Sequence, residues 1–423
     1  MDVTLSPAPL TGTIRAIASK SCAHRLLICA ALADRPSRIL CAETNRDIEA
    51  TVRCLNGLGA GITPIDGGYQ VRPLNPAAPK MGQILDCGES GSTLRFLLPI
   101  VCALGSESAM MAHGRLPQRP LSPLYEELTD KGAVLAPQGS NPLQCGGQLR
   151  PGTFTLAGHV SSQYISGLLF ALPLLNGDSV LHITGHLESR PYVDMTLDAL
   201  RRSGITVTES GEDFFIPGNQ TYRPPECSDV EGDWSNAAFW LCAGALAGPV
   251  TVTNLNLSSP QGDRAVLDLL RQFGAAVETG PDWVTVSRGT LRGMEIDSAD
   301  TPDLVPVLSI VAALAQGTTV FRNAGRLRIK ECDRLTAMRE VITALGGSAE
   351  ETETELIVHG VPELSGGTVD SRNDHRIAMS AAVAAIASRA PVTVTDAGAV
   401  SKSYPRFFED YRRLGGIVRE VTP

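Results

Sequence analysis

The chain has 423 residues, more than one hydrophobic core usually holds, so two or more domains are expected. Its formal net charge is −9 and 43% of its residues are hydrophobic, which is typical of a globular protein and excludes a general nucleic-acid-binding surface. The apolar runs are too short for a membrane span, and the first residues lack the basic start and apolar core of a signal peptide. These features predict a cytoplasmic protein with no membrane partner.

Markers of a repeat recur along the chain at intervals of about 70 residues. One set lies at alanine-rich helix ends: Leu32, Leu104, Leu175, Leu246, Leu314 and Ile386. A second set consists of glycines expected to end a later helix: Gly59, Gly132, Gly204, Gly274, Gly346 and Gly415. Two independent markers with one period indicate six repeats, which divide most simply into two domains of three.

Each repeat reads as a β-α-β-α-β-β unit. The first strands are predicted at 14–18, 83–85, 153–156, 228–230, 294–296 and 367–369. The β-branched second strands are predicted at 37–40, 108–111, 180–183, 250–253, 318–321 and 392–395. Strands that alternate with helices predict an α/β fold with crossover connections.

The first helix of each repeat is apolar on nearly all sides, as at 237–247 and 377–387, and is therefore expected to be buried. The second helices, such as those at 192–202 and 265–273, carry charged residues and should be more exposed. Buried helices with sheets outside them predict a two-domain inside-out α/β barrel with three repeats per domain. An ordinary doubly wound sheet with coincidental repeats is the alternative.

The ten cysteines are scattered along the chain and form no Cys-x-x-Cys pair. Several lie in apolar helical stretches, where a reduced cysteine behaves as a small hydrophobic residue. The pattern favours a reduced protein without a metal site.

The loops before the helices contain residues that can cap a helix N-terminus. Five cations are expected at or just inside helix starts: Lys20, Lys330, Arg334, Arg376 and Lys402. A cation there opposes the helix dipole, whereas an anionic ligand is attracted by it, so this repeated placement indicates function. Salt bridges to Asp333 or Asp374 are the structural alternative. We infer a site for several phosphates or carboxylates, assembled from loops of both halves.

An ordered set of motifs carries a specific resemblance. The motifs are Ala18-Ser19-Lys20-Ser21 followed by Arg25, Gly88-Glu89-Ser90-Gly91-Ser92-Thr93-Leu94-Arg95, Gln118-Arg119-Pro120, Ser161-Ser162-Gln163, Ser189-Arg190-Pro191-Tyr192, Lys330-Glu331-Cys332-Asp333-Arg334, Asn373-Asp374-His375-Arg376 and Ser401-Lys402-Ser403. With them the chain resembles the 5-enolpyruvylshikimate-3-phosphate synthase family of enolpyruvyl transferases over essentially its full length. The resemblance implies transfer of the enolpyruvyl group of phosphoenolpyruvate to the 5-hydroxyl of shikimate 3-phosphate, with release of phosphate, in the shikimate pathway to chorismate and the aromatic amino acids.

The resemblance also implies a domain organisation. Residues 16–229 are expected to form the N-terminal domain, and residues 1–15 with 230–423 the C-terminal domain, because the first dozen or so residues of the family cross back. The active site is expected in the cleft between the domains. No metal or organic cofactor is implied, the partners are the two small-molecule substrates, and a monomer is expected.

Site residues follow from the same resemblance. Those expected to bind shikimate 3-phosphate are Lys20, Ser21, Arg25, Ser161, Ser162, Gln163, Ser189, Tyr192, Asp303 and Lys330. Those expected to bind phosphoenolpyruvate are Lys20, Gly91, Arg119, Gln163, Arg334, His375, Arg376 and Lys402. The reaction needs a base for the hydroxyl proton and an acid for the methylene carbon. Asp303 is expected to be the base and Glu331 the acid, with Lys20 as the second candidate for the acid.

Two rival functions are open at this point. UDP-N-acetylglucosamine enolpyruvyl transferases share the architecture but place a reactive cysteine in a loop of the N-terminal half, and the corresponding loop at 113–120 has none. A non-catalytic anion-binding module on the same scaffold would be expected to lack Asp303, Glu331 or Lys20, and all three are present.

Overall fold

The computed structural model describes residues 1–421. The chain separates into two compact units, each with its own hydrophobic core. The continuous unit is Ala18–Val230. The discontinuous unit is Met1–Ile17 together with the residues from Glu231 onward.

The first three repeats follow a first strand, β1 (Asp2–Ser6). Repeat 1 contains β2 (Gly12–Arg15), α1 (Lys20–Ala31), β3 (Ser37–Leu40), α2 (Arg46–Leu58), β4 (Gly61–Ile65) and β5 (Gly68–Arg72). Repeat 2 contains β6 (Gln83–Asp86), α3 (Gly91–Ala103), β7 (Ser108–Met111), α4 (Leu124–Asp130), β8 (Ala133–Leu135) and β9 (Leu143–Gly147). Repeat 3 contains β10 (Thr153–Ala157), α5 (Ser162–Ala171), β11 (Ser179–Thr184), α6 (Arg190–Arg202), β12 (Thr208–Ser210) and β13 (Asp213–Ile216).

The last three repeats have the same order of elements, except that repeat 6 has one closing strand instead of two. Repeat 4 contains β14 (Cys227–Asp229), α7 (Trp234–Ala247), β15 (Val250–Thr253), α8 (Val266–Phe273), β16 (Ala276–Thr279) and β17 (Trp283–Ser287). Repeat 5 contains β18 (Glu295–Asp297), α9 (Val305–Ala313), β19 (Thr318–Arg322), α10 (Arg334–Ala344), β20 (Ser348–Glu351) and β21 (Leu356–His359). Repeat 6 contains β22 (Gly367–Asp370), α11 (His375–Ala385), β23 (Val392–Thr395), α12 (Phe407–Arg413) and β24 (Ile417–Val421).

The strands form four-stranded sheets with one common pattern, a parallel pair followed by two antiparallel neighbours. The sheets of the continuous unit have the orders β14-β3-β5-β4, β6-β7-β9-β8 and β10-β11-β13-β12. Those of the discontinuous unit have the orders β16-β17-β15-β2, β18-β19-β21-β20 and β22-β23-β1-β24. The predicted α/β class and the predicted order of elements are confirmed.

Repeats 1 and 4 exchange their first strands. β2 of repeat 1 pairs in parallel with β15, with Ile14 opposite Val252. β14 of repeat 4 pairs in parallel with β3, with Ser228 opposite Ile39. In the sixth repeat β1 supplies the missing last strand, because it lies antiparallel between β23 and β24.

The predicted burial of the first helices is confirmed. Every residue of α9 and α11 is buried, whereas α6, a second helix, buries only 5 of its 13 residues. α7, α9 and α11 contact one another within the discontinuous unit, and α3 contacts α5 within the continuous unit. The six marker glycines all have positive φ, as expected of residues that end helices in the left-handed conformation. Within residues 1–421 no helix is long and apolar enough to cross a membrane.

Candidate active site

Arg334 is the centre of a charged cluster in the discontinuous unit. It is the first residue of α10, after Asp333, whose side chain caps the helix by accepting from Thr336 N at 3.2 Å. The Arg334 side chain is 2% exposed and donates to three carboxylates. The distances are 2.7 Å to Asp374 Oδ2, 2.9 Å to Asp303 Oδ1 and 2.7 Å to Glu331 Oε2. One guanidinium therefore gathers carboxylates from three separate segments.

Asp303 is surrounded by cations. It lies in the short 3₁₀ helix Pro302–Leu304 immediately before α9. Besides Arg334, Arg376 donates to its Oδ2 at 3.0 Å and to its backbone carbonyl at 3.0 Å, and Lys330 Nζ lies 3.8 Å from its Oδ1. Burial alone would raise the pKa of Asp303, but Arg376, Lys330 and Arg334 together hold it well below its usual range. Asp303 is therefore a carboxylate at neutral pH.

Burial also disfavours the charged form of Lys330. It lowers the pKa of the Lys330 ammonium to about 8, although Asp303 acts to raise it. Arg326 and Arg334 add to the lowering because they are like charges. Lys330 is therefore a cation that can lose its proton near neutral pH.

Two more predicted site residues, His375 and Lys402, lie around the start of α11. Asp374 caps α11 by accepting from Arg376 N at 2.8 Å, and it is fully buried. His375, the first residue of α11, is also buried, with Nδ1 3.8 Å from Asp374 Oδ1. Lys402 Nζ donates to the backbone carbonyl of Asn373 at 2.5 Å.

The predicted placement of five cations at helix starts is confirmed for Lys20, Arg334 and Arg376. It is wrong for Lys402, the last residue of the 3₁₀ helix Ala397–Lys402, because Pro405 disfavours helical backbone just after it and α12 begins at Phe407. It is also wrong for Lys330, which is extended and follows the 3₁₀ helix Gly325–Ile329. Both lysines instead lie at helix ends, where the dipole favours a cation.

The alternative of salt bridges is confirmed in part. Arg334 does pair with Asp374, but Asp333 pairs with Arg328 at 2.7 Å rather than with a predicted site residue.

Sequence reasoning missed Asp263. It lies in the 3₁₀ helix Gly262–Ala265, is 2% exposed, and accepts a short hydrogen bond from Ser235 of α7. Burial, and secondarily the negative charge of Asp303, raises the pKa of Asp263 to about 6. The sequence offered no signal for this residue beyond an acid in a polar loop just before the apolar stretch of α8.

Asp263 gives a pH-dependent stability prediction. Because its folded-state pKa lies above the unfolded value near 4, ionisation destabilises the fold progressively as pH rises from about 4 to about 6. Asp263→Asn should therefore gain stability over wild type across this range, by up to about 3 kcal/mol, and the difference should level off above it. Urea unfolding at several pH values checks this. A difference that does not vary with pH would contradict it.

In the continuous unit, the start of α1 carries Lys20 and Arg25. Ser19 caps α1, and Lys20 Nζ lies 2.9 Å from Asp47 Oδ2 of α2. Arg25 is 3% exposed and is fixed by hydrogen bonds to Thr196 Oγ1 at 2.9 Å, Tyr192 O at 2.7 Å and Ser21 O at 2.7 Å. Burial lowers the pKa of Arg25 to about 10, so it remains a cation at neutral pH.

The guanidinium of Arg25 also lies over the ring of Phe96, 5.2 Å from the centroid. Phe96 belongs to α3, so this contact ties Arg25 to a second helix of the unit.

The starts of α3 and α5 meet around Gln163. Its Oε1 accepts from Arg95 Nη1 at 2.8 Å and its Nε2 donates to Ser92 Oγ at 3.0 Å. A Cβ on Gly91 would lie 2.9 Å from Nη1 of both Arg95 and Arg119. Arg95 belongs to one of the sequence motifs, but the sequence assigned it no role. In the structure it connects Gln163 with the start of α3.

The expectation that each loop caps its helix holds for Ser19, Ser90, Ser161, Asp233, Asp333 and Asp374. It is wrong for Ser189, whose side chain makes no capping hydrogen bond and whose φ is 55°. This left-handed backbone costs free energy in a residue other than glycine, and such strain is commonly found at functional sites. It is also wrong for α4, α9 and α12, whose N-cap residues Pro123, Leu304 and Arg406 make no side-chain capping hydrogen bond.

Comparisons with known proteins identify the family. The sequence model of EPSP synthase (3-phosphoshikimate 1-carboxyvinyltransferase) matches residues 5–411. The 3-phosphoshikimate 1-carboxyvinyltransferase of Clostridium acetobutylicum is 43% identical over 425 residues, covering 99% of this chain and 98% of the relative. That of Clostridium novyi is 39% identical over 429 residues, with the same coverage.

Solved structures are similar over the same length. EPSP synthase from Acinetobacter baumannii has a TM-score of 0.82 at 25% identity and covers 100% of both chains. An enolpyruvyl transferase from Streptomyces tendae, at 21% identity, shares the fold with a TM-score of 0.78 over 100% of this chain and 99% of its own. With a family match that spans nearly the whole chain and full-length relatives near 40% identity, the chain belongs to the EPSP synthase family.

Proposed function

We propose that this chain transfers the enolpyruvyl group of phosphoenolpyruvate to the 5-hydroxyl of shikimate 3-phosphate and releases phosphate. The full-length match to the EPSP synthase family carries the proposal. The clusters of buried cations at helix starts support it, because the two substrates bring two phosphates and two carboxylates.

In the discontinuous unit, Arg334, His375, Arg376 and Lys402 bind phosphoenolpyruvate in this proposal. Arginine forks suit its carboxylate and phosphate oxygens, and the lysine acts as a point charge. The two arginines are held by Asp303, Glu331 and Asp374. A substrate anion would therefore share these arginines with the carboxylates. The carboxylates fix the positions of both arginines before the substrate binds.

Asp303 accepts the proton of the 5-hydroxyl as the hydroxyl oxygen bonds to C2 of phosphoenolpyruvate. Its surrounding cations make it a weak base alone, but substrate anions that neutralise Arg334 and Arg376 would raise its pKa toward a useful range. Glu331 delivers a proton to the methylene carbon, with Lys20 as the second candidate. Loss of a proton from that carbon with departure of phosphate restores the double bond.

In the continuous unit, shikimate 3-phosphate is bound by Lys20, Ser21, Arg25, Ser161, Ser162, Gln163, Ser189 and Tyr192, while Asp303 and Lys330 contribute from the discontinuous unit. Phosphoenolpyruvate is bound there by Lys20, Gly91, Arg119 and Gln163. The fixed guanidinium of Arg25 and the strained backbone of Ser189 support this assignment. Residues of both units are therefore required for turnover.

We extend the proposal to the chain's organisation. The continuous and discontinuous units correspond to the two enolpyruvyl transferase domains expected from the sequence. The proposed enzyme is a monomer and lies in the cytoplasm. Light scattering tests the oligomeric state, and cell fractionation tests the localisation.

Gly91→Ala gives a prediction about phosphoenolpyruvate. The new Cβ must displace the ends of Arg95 and Arg119, and Arg119 is a proposed ligand. We expect the KM for phosphoenolpyruvate to rise by about tenfold, equivalent to about 1.4 kcal/mol, with a smaller change for shikimate 3-phosphate. Gly146→Ala in β9 is a matched control, since its nearest contact would be an ordinary 3.8 Å. An unchanged KM in Gly91→Ala would remove Gly91 from the site.

The deciding experiment follows phosphate release from phosphoenolpyruvate by the purified chain. We expect release with shikimate 3-phosphate as acceptor and none with UDP-N-acetylglucosamine. Release with UDP-N-acetylglucosamine alone would establish the rival transferase. Binding of both substrates without release would establish the non-catalytic module.

A further inference from the structure

A buried line of hydrogen-bonding side chains joins three helices of the continuous unit. His24 of α1 meets Thr51 of α2 at 2.7 Å through Nδ1 and Oγ1. Thr51 Oγ1 meets Thr93 Oγ1 of α3 at 2.7 Å, and Thr93 Oγ1 donates to Ser90 Oγ at 2.8 Å. All four side chains are at least 99% buried. We call these four residues the α1–α3 relay.

One assignment of the protons satisfies the side-chain contacts along the relay. In it the hydroxyl of Thr93 donates to Ser90 Oγ, and the carbonyl of Asp47 lies 3.5 Å from the same oxygen. Thr93 Oγ1 then accepts from the hydroxyl of Thr51, and Thr51 Oγ1 accepts from His24, which places the imidazole proton on Nδ1.

Both ends of the relay lie beside proposed ligands of phosphoenolpyruvate. Ser90 caps α3 by accepting from Thr93 N at 3.2 Å, and Gly91 is the first residue of that helix. His24 lies one turn after Lys20 in α1. Asp47, the partner of Lys20, lies one turn before Thr51 in α2. The relay thus runs from the helix that carries Lys20 to the residue that caps the helix of Gly91.

Stability alone does not explain a histidine in this position. His24 Nε2 is buried and has no hydrogen-bond partner among the described residues 1–421, which costs free energy that an apolar side chain would avoid. Burial, followed by the charges of Lys20 and Arg25, lowers the pKa of His24 well below its usual range, so the ring is neutral. Its edge faces Phe96 of α3, with the ring centroids 6.4 Å apart.

We propose that the α1–α3 relay is a positioning device that fixes the capped start of α3, with Gly91, relative to Lys20 on α1, and thereby sets how tightly phosphoenolpyruvate is bound. The inference rests on the proposed function. None of the four residues need touch the substrate. They act through the placement of Lys20 and Gly91.

Isosteric variants test the relay kinetically. Thr51→Val and Thr93→Val remove one hydroxyl each, and each should raise the KM for phosphoenolpyruvate by about fivefold or more, while the KM for shikimate 3-phosphate and kcat change by less than about twofold. Thr51→Ser and Thr93→Ser keep the hydroxyl and should restore most of the wild-type KM. Ser203→Ala is the matched control, because Ser203 Oγ donates at 2.8 Å to Ala199 O at the buried end of α6, away from the relay.

The outcomes separate the relay from the proposed function. Absence of phosphate release by the wild-type chain overturns the proposed function and the inference with it. Wild-type release combined with valine variants that keep the wild-type KM for phosphoenolpyruvate overturns the relay alone. A valine variant that fails to fold is replaced by a measurement on the wild-type chain. There, ¹⁵N NMR should show His24 neutral with its proton on Nδ1, and a proton on Nε2 would overturn the relay.

Discussion

Arg334→Ala should lower the free energy of unfolding by about 3–5 kcal/mol and abolish turnover. The substitution leaves Asp374 fully buried without its guanidinium partner, and it removes a cation from Asp303 and Glu331 as well. Removing one partner of a buried ion pair leaves an uncompensated charge, and this accounts for the size of the effect. Urea unfolding followed by circular dichroism, together with phosphate release, measures both consequences.

Two controls sharpen this result. Arg322→Ala breaks an ion pair with Glu295 of similar length, 2.9 Å, but Arg322 is 52% exposed, so the loss of stability should be far smaller than for Arg334→Ala. The double variant Arg334→Ala/Asp374→Asn should recover part of the lost stability, because the remaining group no longer carries a charge. Activity should not recover, since the proposed ligand of phosphoenolpyruvate is still missing. An Arg334→Ala protein as stable as Arg322→Ala would contradict the buried cluster.

Asp303→Asn should lower kcat by about 10²- to 10⁴-fold while the fold is retained, because an amide cannot accept the hydroxyl proton. Asparagine keeps an oxygen that can accept from Arg334 or Arg376. The loss of kcat therefore measures the missing base more than a displaced side chain. Asp297→Asn is the matched control in the same unit, since Asp297 is exposed at the end of β18. A near-normal rate in Asp303→Asn would remove Asp303 from the proton transfer.

The same variant has a defined pH signature in stability. The folded-state pKa of Asp303 is depressed, so its carboxylate stabilises the fold above the unfolded pKa near 4, and this contribution is lost as pH falls through the folded value. Asp303→Asn should therefore be less stable than wild type at neutral pH, and the two should converge in acid.

Much of the scaffold could be predicted because each element carries a local signal. The repeated helix ends, the β-branched strands and the six glycines with positive φ all follow from patterns within about 70 residues. The local pattern did not reveal the exchange of β2 and β14, since an edge strand's composition specifies a strand but not its neighbour. The return of the first residues to the second domain was expected only from the family resemblance. Lys330 and Lys402 were misplaced because the stretches 325–329 and 397–402 form 3₁₀ helices rather than the first turns of α-helices.

The candidate site was partly accessible from the sequence. Arg334 and Arg376 follow the capping residues Asp333 and Asp374 and could be placed at helix starts. Asp263 and the α1–α3 relay depend on which buried polar groups from distant segments meet, and this is decided by tertiary packing rather than by local pattern.

The exchanged strands have a consequence for biosynthesis. The continuous unit contains all its own strands once the chain has been made as far as β14, so it can fold while the rest is still being translated. The discontinuous unit cannot, because β2 waits for β15, and β1 waits for β23 and β24. The N-terminal strands are thus the first to leave the ribosome and among the last to be paired, and until then they are exposed to chaperones and to wrong partners.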